Sequence, residues 1–173
     1  MCIVISTSPA QIIFERSRNV NWVAQMYETI LIPYDGSDEA RMGAEHGLGL
    51  AAALGASVHV LYVINIPGTP RAVALRDDEE EVRERYREYA DEILGELSET
   101  AEEKGVEAAT TTRTGSVSQE IVEYADEEAV DAIVMGSAYR GKIGNLIGGT
   151  TDKVVRSATV PVITKRMSAE EIR

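Results

Sequence analysis

The sequence predicts an α/β fold built on a single doubly wound sheet of five parallel strands, with helices on both faces. Three observations carry that expectation. Five short apolar runs alternate with four segments of helical character, the pattern of parallel strands joined by helical crossovers. The fourth run, Val130-Asp-Ala-Ile-Val-Met135, leads into a glycine-rich loop and then into a helix at Lys153-Val154. The first run ends in Pro33-Tyr34-Asp35-Gly36-Ser37, a strand end followed by turn and capping residues. In such a sheet the crossovers are right-handed, and ligands sit outside the carboxyl ends of strands where the strand order reverses. If strands one and four are neighbours across that reversal, Asp35 and the glycine loop face one crevice.

Each element has its own local reason. The first strand is Thr29 to Pro33, stopped by the proline. Ser37 caps a helix whose apolar face is Ala40, Ala44, Leu48, Ala51 and Leu54, with Gly55 as its stop. Val58 to Ile64 is the second strand, and Pro67 to Asp78 reads as a loop. A long charged helix follows, with Val82, Tyr86, Tyr89, Ile93, Leu97 and Ala101 at helical spacing and Gly105 at its end. The third strand, Val106 to Arg113, is threonine-rich and half exposed. Ser116-Val-Ser-Gln119 has capping-box form and opens a helix through Ile121, Val122 and Ala125. Ala132 to Met135 is the fourth strand, the next helix carries Val154 and Val155, and Val160 to Thr164 is the last strand.

Composition narrows the class of partner. A chain of 173 residues with 44% hydrophobic content has enough material for one good core. Its net charge of −12 repels phosphate backbones, which argues against a nucleic-acid partner. High acid with little lysine also suits a salt-rich cytoplasm, where screening reduces self-repulsion. The single cysteine, Cys2, excludes an intramolecular disulfide framework and a cysteine-based metal cluster. No run approaches the ~18 apolar residues of a membrane span. The apolar opening has no basic residues ahead of it, so a secretory signal is not expected and the expected compartment is the cytoplasm. Residues 1–25 differ from the rest, holding the only Trp, Phe and Cys. They read as an N-terminal extension, disordered or lying upstream of a true start at Met26. Residues 26–166 read as the folded domain and 167–173 as a C-terminal tail.

The glycine loop is where chemistry is expected. Strand, glycine-rich loop and helix start are the parts of an anion site, because glycines admit close approach and first-turn amides point outward. Thr150 and Thr151 add hydroxyl donors there. Gly136 to Lys142 matches the first seven positions of a P-loop, but Ile143 lacks the hydroxyl that would hold magnesium. The dinucleotide pattern G-x-G-x-x-G is absent. The plainer reading is a surface loop that only turns the chain. Asp35 likewise has two readings, a carboxylate for ribose hydroxyls or a turn and capping residue beside Gly36. Arg140 and Lys142 are the cations nearest the loop; they contact phosphates or simply keep it soluble. No nucleophile motif accompanies His46 or His59, which read as structural, and Asp77 to Glu81 lacks the spacing of a calcium loop.

These segments together resemble the universal stress protein family, from Met26 to about Arg166. Ile30-Leu-Ile-Pro-Tyr-Asp-Gly-Ser37, Leu54-Gly-Ala56 and Val58-His-Val-Leu-Tyr-Val63 are similar to its first βαβ unit. Gly115, Val130 to Gly136, the glycine loop and Val160-Pro-Val-Ile163 are similar to its second half. The fold so implied is Rossmann-like, of the adenine nucleotide alpha hydrolase-like kind. ATP-binding members carry G-x-x-G, nine residues, then G-[ST]. Gly136 and Gly149-Thr150 fit the outer positions in register, whereas Tyr139 stands at the middle one. A tyrosine there resists backbone angles that glycine adopts freely. The resemblance implies that Pro33, Tyr34, Asp35 and Val63 border adenine and ribose. It implies that Met135, Gly136, Ser137, Gly149, Thr150 and Thr151 line the nucleotide and its phosphates, with Arg140 nearby. The cofactor implied is ATP, with Mg²⁺ riding on its phosphates. Family members commonly dimerise through the last strand, so a homodimer through Val160 to Lys165 is expected. The expected function is a cytoplasmic nucleotide-dependent switch in stress response. The alternatives are a dimeric interaction module without nucleotide and a slow ATPase, the latter lacking a positioned base.

Overall fold

β1 (Thr29–Pro33) is buried along Ile30, Leu31 and Ile32, as a strand covered on both faces must be. The structure, a computed structural model, describes residues 26–65, 77–137 and 149–166. The expected extension 1–25, the tail 167–173, most of the loop after Pro67, and Tyr139, Arg140 and Lys142 lie outside the described residues. Among the described residues the elements run β1, α1 (Asp38–Leu54), β2 (Ser57–Ile64), α2 (Asp77–Glu103), β3 (Ala108–Thr114), α3 (Val117–Glu127), β4 (Ala132–Ser137), α4 (Thr150–Ser157) and β5 (Val162–Arg166). All pairs are parallel and the strand order is β3-β2-β1-β4-β5. The α/β doubly wound sheet is therefore present, and β1 and β4 meet at the reversal, with Ile30 opposite Ala132 and Leu31 opposite Ile133.

Alternation along the strands divides the core into two layers. Ile30, Ile32, Val58, Val60, Tyr62 and Val134 pack with Ala44, Leu48 and Ala51 of α1 and with Ala90, Ile93, Leu94 and Leu97 of α2. Leu31, Leu61, Ile133 and Met135 pack on the opposite face with Ile121, Tyr124 and Ala125 of α3 and Val154 of α4. The expected apolar face of the first helix thus reaches the core. The periodicity overlooks Gly43 and Gly47 on the same helix. A Cβ at Gly43 would strike the backbone of Met135 and Gly136, and one at Gly47 would come within 2.8 Å of Ile32 Cδ1. Small residues let α1 lie directly on β4 and β1.

Element ends follow cap chemistry, with five corrections to the sequence reading. Ser37 caps α1, its Oγ accepting from the Ala40 amide at 3.2 Å, and Gly55 ends that helix at φ +72°. β3 begins at Ala108, not Val106, because Val106 still belongs to the end of α2. Its amide reaches back to the Ala101 carbonyl, 2.9 Å, while Gly105 donates to Glu102, the paired bonds of a Schellman cap. At α3 the N-cap is Ser116, but its side chain makes no capping bond and the Gln119 amide group turns to Glu123 Oε1 at 2.7 Å. The capping-box sequence is present without its reciprocal bonds. α2 already includes Asp77 and Asp78, read as loop. β4 continues through Gly136 and Ser137 because β5 is displaced toward its carboxyl end: it starts at Val162 and pairs Lys165 and Arg166 with those two residues. Pro161 only offers its carbonyl, to the Ile133 amide at 2.9 Å.

Asp131, just before β4, performs a tie that its sequence position does not advertise. Its Oδ2 accepts from the amides of Glu28 at 2.7 Å and Thr29 at 2.9 Å, fastening the start of β1 to the start of β4. That bond helps hold the two central strands in register at the end opposite the candidate site.

Candidate functional site

The carboxyl ends of β1, β2 and β4 come together with the amino end of α4. β1 and the turn after it supply Pro33, Tyr34 and Asp35; β2 supplies Val63; β4 supplies Met135, Gly136 and Ser137; Gly149, Thr150 and Thr151 open α4. Val63 and Met135 both belong to the face covered by α3 and α4, the same side as the start of α4. Strand alternation separates Tyr34 from them: its ring is buried with the α1 and α2 core, leaving its backbone at the crevice. The Tyr34 amide donates to the Leu61 carbonyl at 2.9 Å.

The turn after β1 is built to a fixed shape. Asp35 Oδ1 accepts from the Ser37 amide at 3.1 Å and the Ser37 hydroxyl at 2.7 Å. The local turn role is therefore realised, with the carboxylate itself exposed. Gly36 stands at φ +78°, where a side chain is disfavoured. Two long side chains bind the same turn from the helices. Arg41 Nε donates to the Gly36 carbonyl at 3.0 Å and Tyr89 Oη donates to the Asp35 carbonyl at 3.3 Å.

Gly136 has a structural reason to be glycine. A Cβ there would lie inside the carbonyl of Glu39, since the first turn of α1 rests on the end of β4. Its carbonyl accepts from Thr151 Oγ1 at 3.2 Å, so the threonine ties the start of α4 back to β4 across the loop. Gly149 is the N-cap of α4, with φ −67° and ψ 165°, and offers no side chain to the first turn. Such an uncapped helix start presents amides to solvent and favours an anion. Lys165 and Arg166 pair in register with Gly136 and Ser137, so two cations stand at the same end of the sheet. Sequence reasoning overlooked them, and Arg41, because strand displacement and helix contact are invisible in the loop motif itself.

Burial shapes the nearby phenols. Burial pushes Tyr34 and Tyr62 above the ordinary value of 10.0, opposed at Tyr34 by Arg41 and reinforced at both by Tyr89 and Asp35. The rings of Tyr62 and Tyr89 meet edge to face, centroids 6.1 Å apart. His59 lies away from the crevice in a separate group: its Nδ1 is 3.0 Å from Tyr124 Oη, which is 3.3 Å from Thr111 Oγ1. Arg113 stacks over the Tyr124 ring at 4.6 Å and pairs with Glu127, whose hydrogen bond raises the guanidinium still further. That group joins β2 and β3 to α3. Among the described residues no group of three or more His, Cys, Asp or Glu side chains could hold a metal ion, and no helix is long and apolar enough to cross a membrane.

Fold, strand order and the crevice at the reversal define a doubly wound, Rossmann-like α/β architecture. The chain belongs to the universal stress protein family, whose model matches residues 26–166. It is 32% identical over 152 residues to universal stress protein MJ0531 of Methanocaldococcus jannaschii, covering 84% of this chain and 86% of that one. The structure of protein MJ0577 superposes with a TM-score of 0.67 at 25% identity, over 83% of this chain and 99% of the other. A universal stress protein from Archaeoglobus fulgidus, solved in complex with dAMP, matches with a TM-score of 0.55 at 25% identity, over 80% and 98% of the two chains.

Proposed function

We propose that this universal stress protein binds an adenine nucleotide, ATP with Mg²⁺ on its phosphates, in the crevice between β1 and β4, and acts as a nucleotide-dependent switch. One observation carries the reading. The strand reversal sets the Asp35 turn and the uncapped start of α4 on either side of the Gly136 strand end. That arrangement offers a carboxylate for ribose hydroxyls and helix amides for phosphate. The dAMP-bound relative from A. fulgidus supports the adenine class. In this reading Pro33, Val63 and the Tyr34 backbone border the base and ribose. Met135, Gly136, Ser137, Gly149, Thr150 and Thr151 line the nucleotide and its phosphates, and Arg140 is a further candidate cation for those phosphates. Nucleotide occupancy would bias partner choice through differential affinity for two states of the protein. The protein works in the cytoplasm as a homodimer paired through its last strand. Among the described residues no positioned base accompanies the site, and the proposal is that turnover of ATP is slow at most.

Calorimetric titration of ATP·Mg²⁺ into the chain, with Gly149→Trp as the blocked form, tests the reading. Saturable binding lost in Gly149→Trp supports it. A folded wild-type protein that binds no adenine nucleotide overturns it in favour of a dimeric interaction module, the reading that Tyr139 favours.

A further inference from the structure

We propose that Tyr89 of α2 is a positioning residue for Asp35, and that it ties α2 to the nucleotide crevice. This inference rests on the adenine-nucleotide reading for its effect on affinity but not for the tie itself. Tyr89 is far from the crevice in sequence, 54 residues beyond Asp35. In the fold it leans over the turn after β1, and its hydroxyl donates to the Asp35 carbonyl at 3.3 Å. The same oxygen would be 2.5 Å from a Cβ at Gly36, so the turn and the phenol are fitted to one another. A side chain at Gly36 is disfavoured by its positive φ, and it would also displace the Tyr89 hydroxyl from its place over the turn.

The geometry gives the tie a direction. Asp35 is held at its side chain by Ser37 and at its carbonyl by Tyr89, and Gly36 is held at its carbonyl by Arg41. Ser37 and Arg41 both stand at the start of α1, so Tyr89 is the contact in this set that comes from α2. Its ring is braced edge to face by Tyr62 on β2, which fixes where the hydroxyl sits. Yet the residue is 42% exposed, so solvent competes for the hydroxyl and the bond can open without unfolding the core. A ligand that orders Asp35 strengthens this contact. By linkage, whatever displaces α2 weakens the ligand by the same factor.

Tyr89→Phe keeps the ring and removes the hydroxyl, so it separates positioning from packing. The expected result is roughly fivefold weaker ATP binding, the size of one net hydrogen bond. It should also shrink the preference for ATP over 2′,3′-dideoxy-ATP, since Asp35 is placed for ribose hydroxyls. In an Asp35→Ala background the same change should have no further effect on either quantity. Amide exchange at Ser37, followed by NMR without nucleotide, should be several-fold faster in Tyr89→Phe. Wild-type-like affinity and ribose preference in Tyr89→Phe would overturn the positioning role while leaving the nucleotide reading intact. If wild type binds no nucleotide, that reading fails and the positioning role fails with it. Ser37 exchange then decides the tie alone: acceleration upholds it, and no change overturns it.

Discussion

At the scale of single residues, close approach decides more here than chemistry does. Gly136 looks from the sequence like a residue freed for phosphate. Its surroundings show that the first turn of α1 also requires it, because the Glu39 carbonyl occupies the space of a Cβ. Gly136→Ala should therefore destabilise the fold by about 2–3 kcal/mol, the usual cost of an insertion against backbone. Urea unfolding in the absence of any nucleotide measures it; an unchanged midpoint would mean that α1 yields freely. The opposite case is Ala129, a non-glycine residue at φ +50° just past α3. It stands where the chain leaves the helix, with the Val130 amide returning to the Ala125 carbonyl at 3.1 Å. Left-handed geometry costs a residue with a Cβ about 1 kcal/mol. Ala129 is exposed and gives up no packing, so Ala129→Gly should raise the stability by about that amount, read from the same unfolding curves.

At the scale of elements, the two central strands are fastened at both ends. Toward the carboxyl end, α1 lies on β4 and Thr151 bonds the Gly136 carbonyl. Toward the amino end, Asp131 accepts two amides from the start of β1. Asp131→Ala leaves those amides without their carboxylate and should cost about 2 kcal/mol. Hydrogen exchange at Thr29 should accelerate well before exchange at Leu31 does, because the loss is local to the strand start. Uniform acceleration along β1 would instead mean that Asp131 holds the whole pairing. The acidic residue in Val130-Asp-Ala-Ile was readable as part of a strand-like run, but not as a tie to Glu28 and Thr29. Those partners lie more than 100 residues away.

At the scale of the molecule, charge and assembly are the open levers. A net charge of −12 carries self-repulsion that salt screens. The melting temperature should rise as NaCl goes from low to molar concentration, and a flat or falling trend would show the acids to be locally compensated. Sedimentation in the same series tests the proposed dimer. β5 is an edge strand of the described sheet, partnered only by β4, and edges of this kind invite pairing. A dimer at micromolar protein is the expected outcome, and a monomer throughout would count against it.

The sequence by itself determined the order of strands and helices, the apolar faces, most caps and the family, because those depend on neighbours along the chain. Ser37, Gly55 and Gly105 announce their roles locally, through side-chain oxygen or left-handed backbone. The alternation of Ile30, Leu31 and Ile32 could not say which face meets which helix, since a strand buried on both sides reads as one apolar run. Only the tertiary structure decided that β1 lies beside β4, that β5 is shifted toward Lys165 and Arg166, and that Tyr34 turns away from the α4 side. It alone brought Tyr89 over Gly36 and Glu39 against Gly136. Those facts arise from contacts between segments distant in sequence, where shape and space, not local propensity, choose the partner.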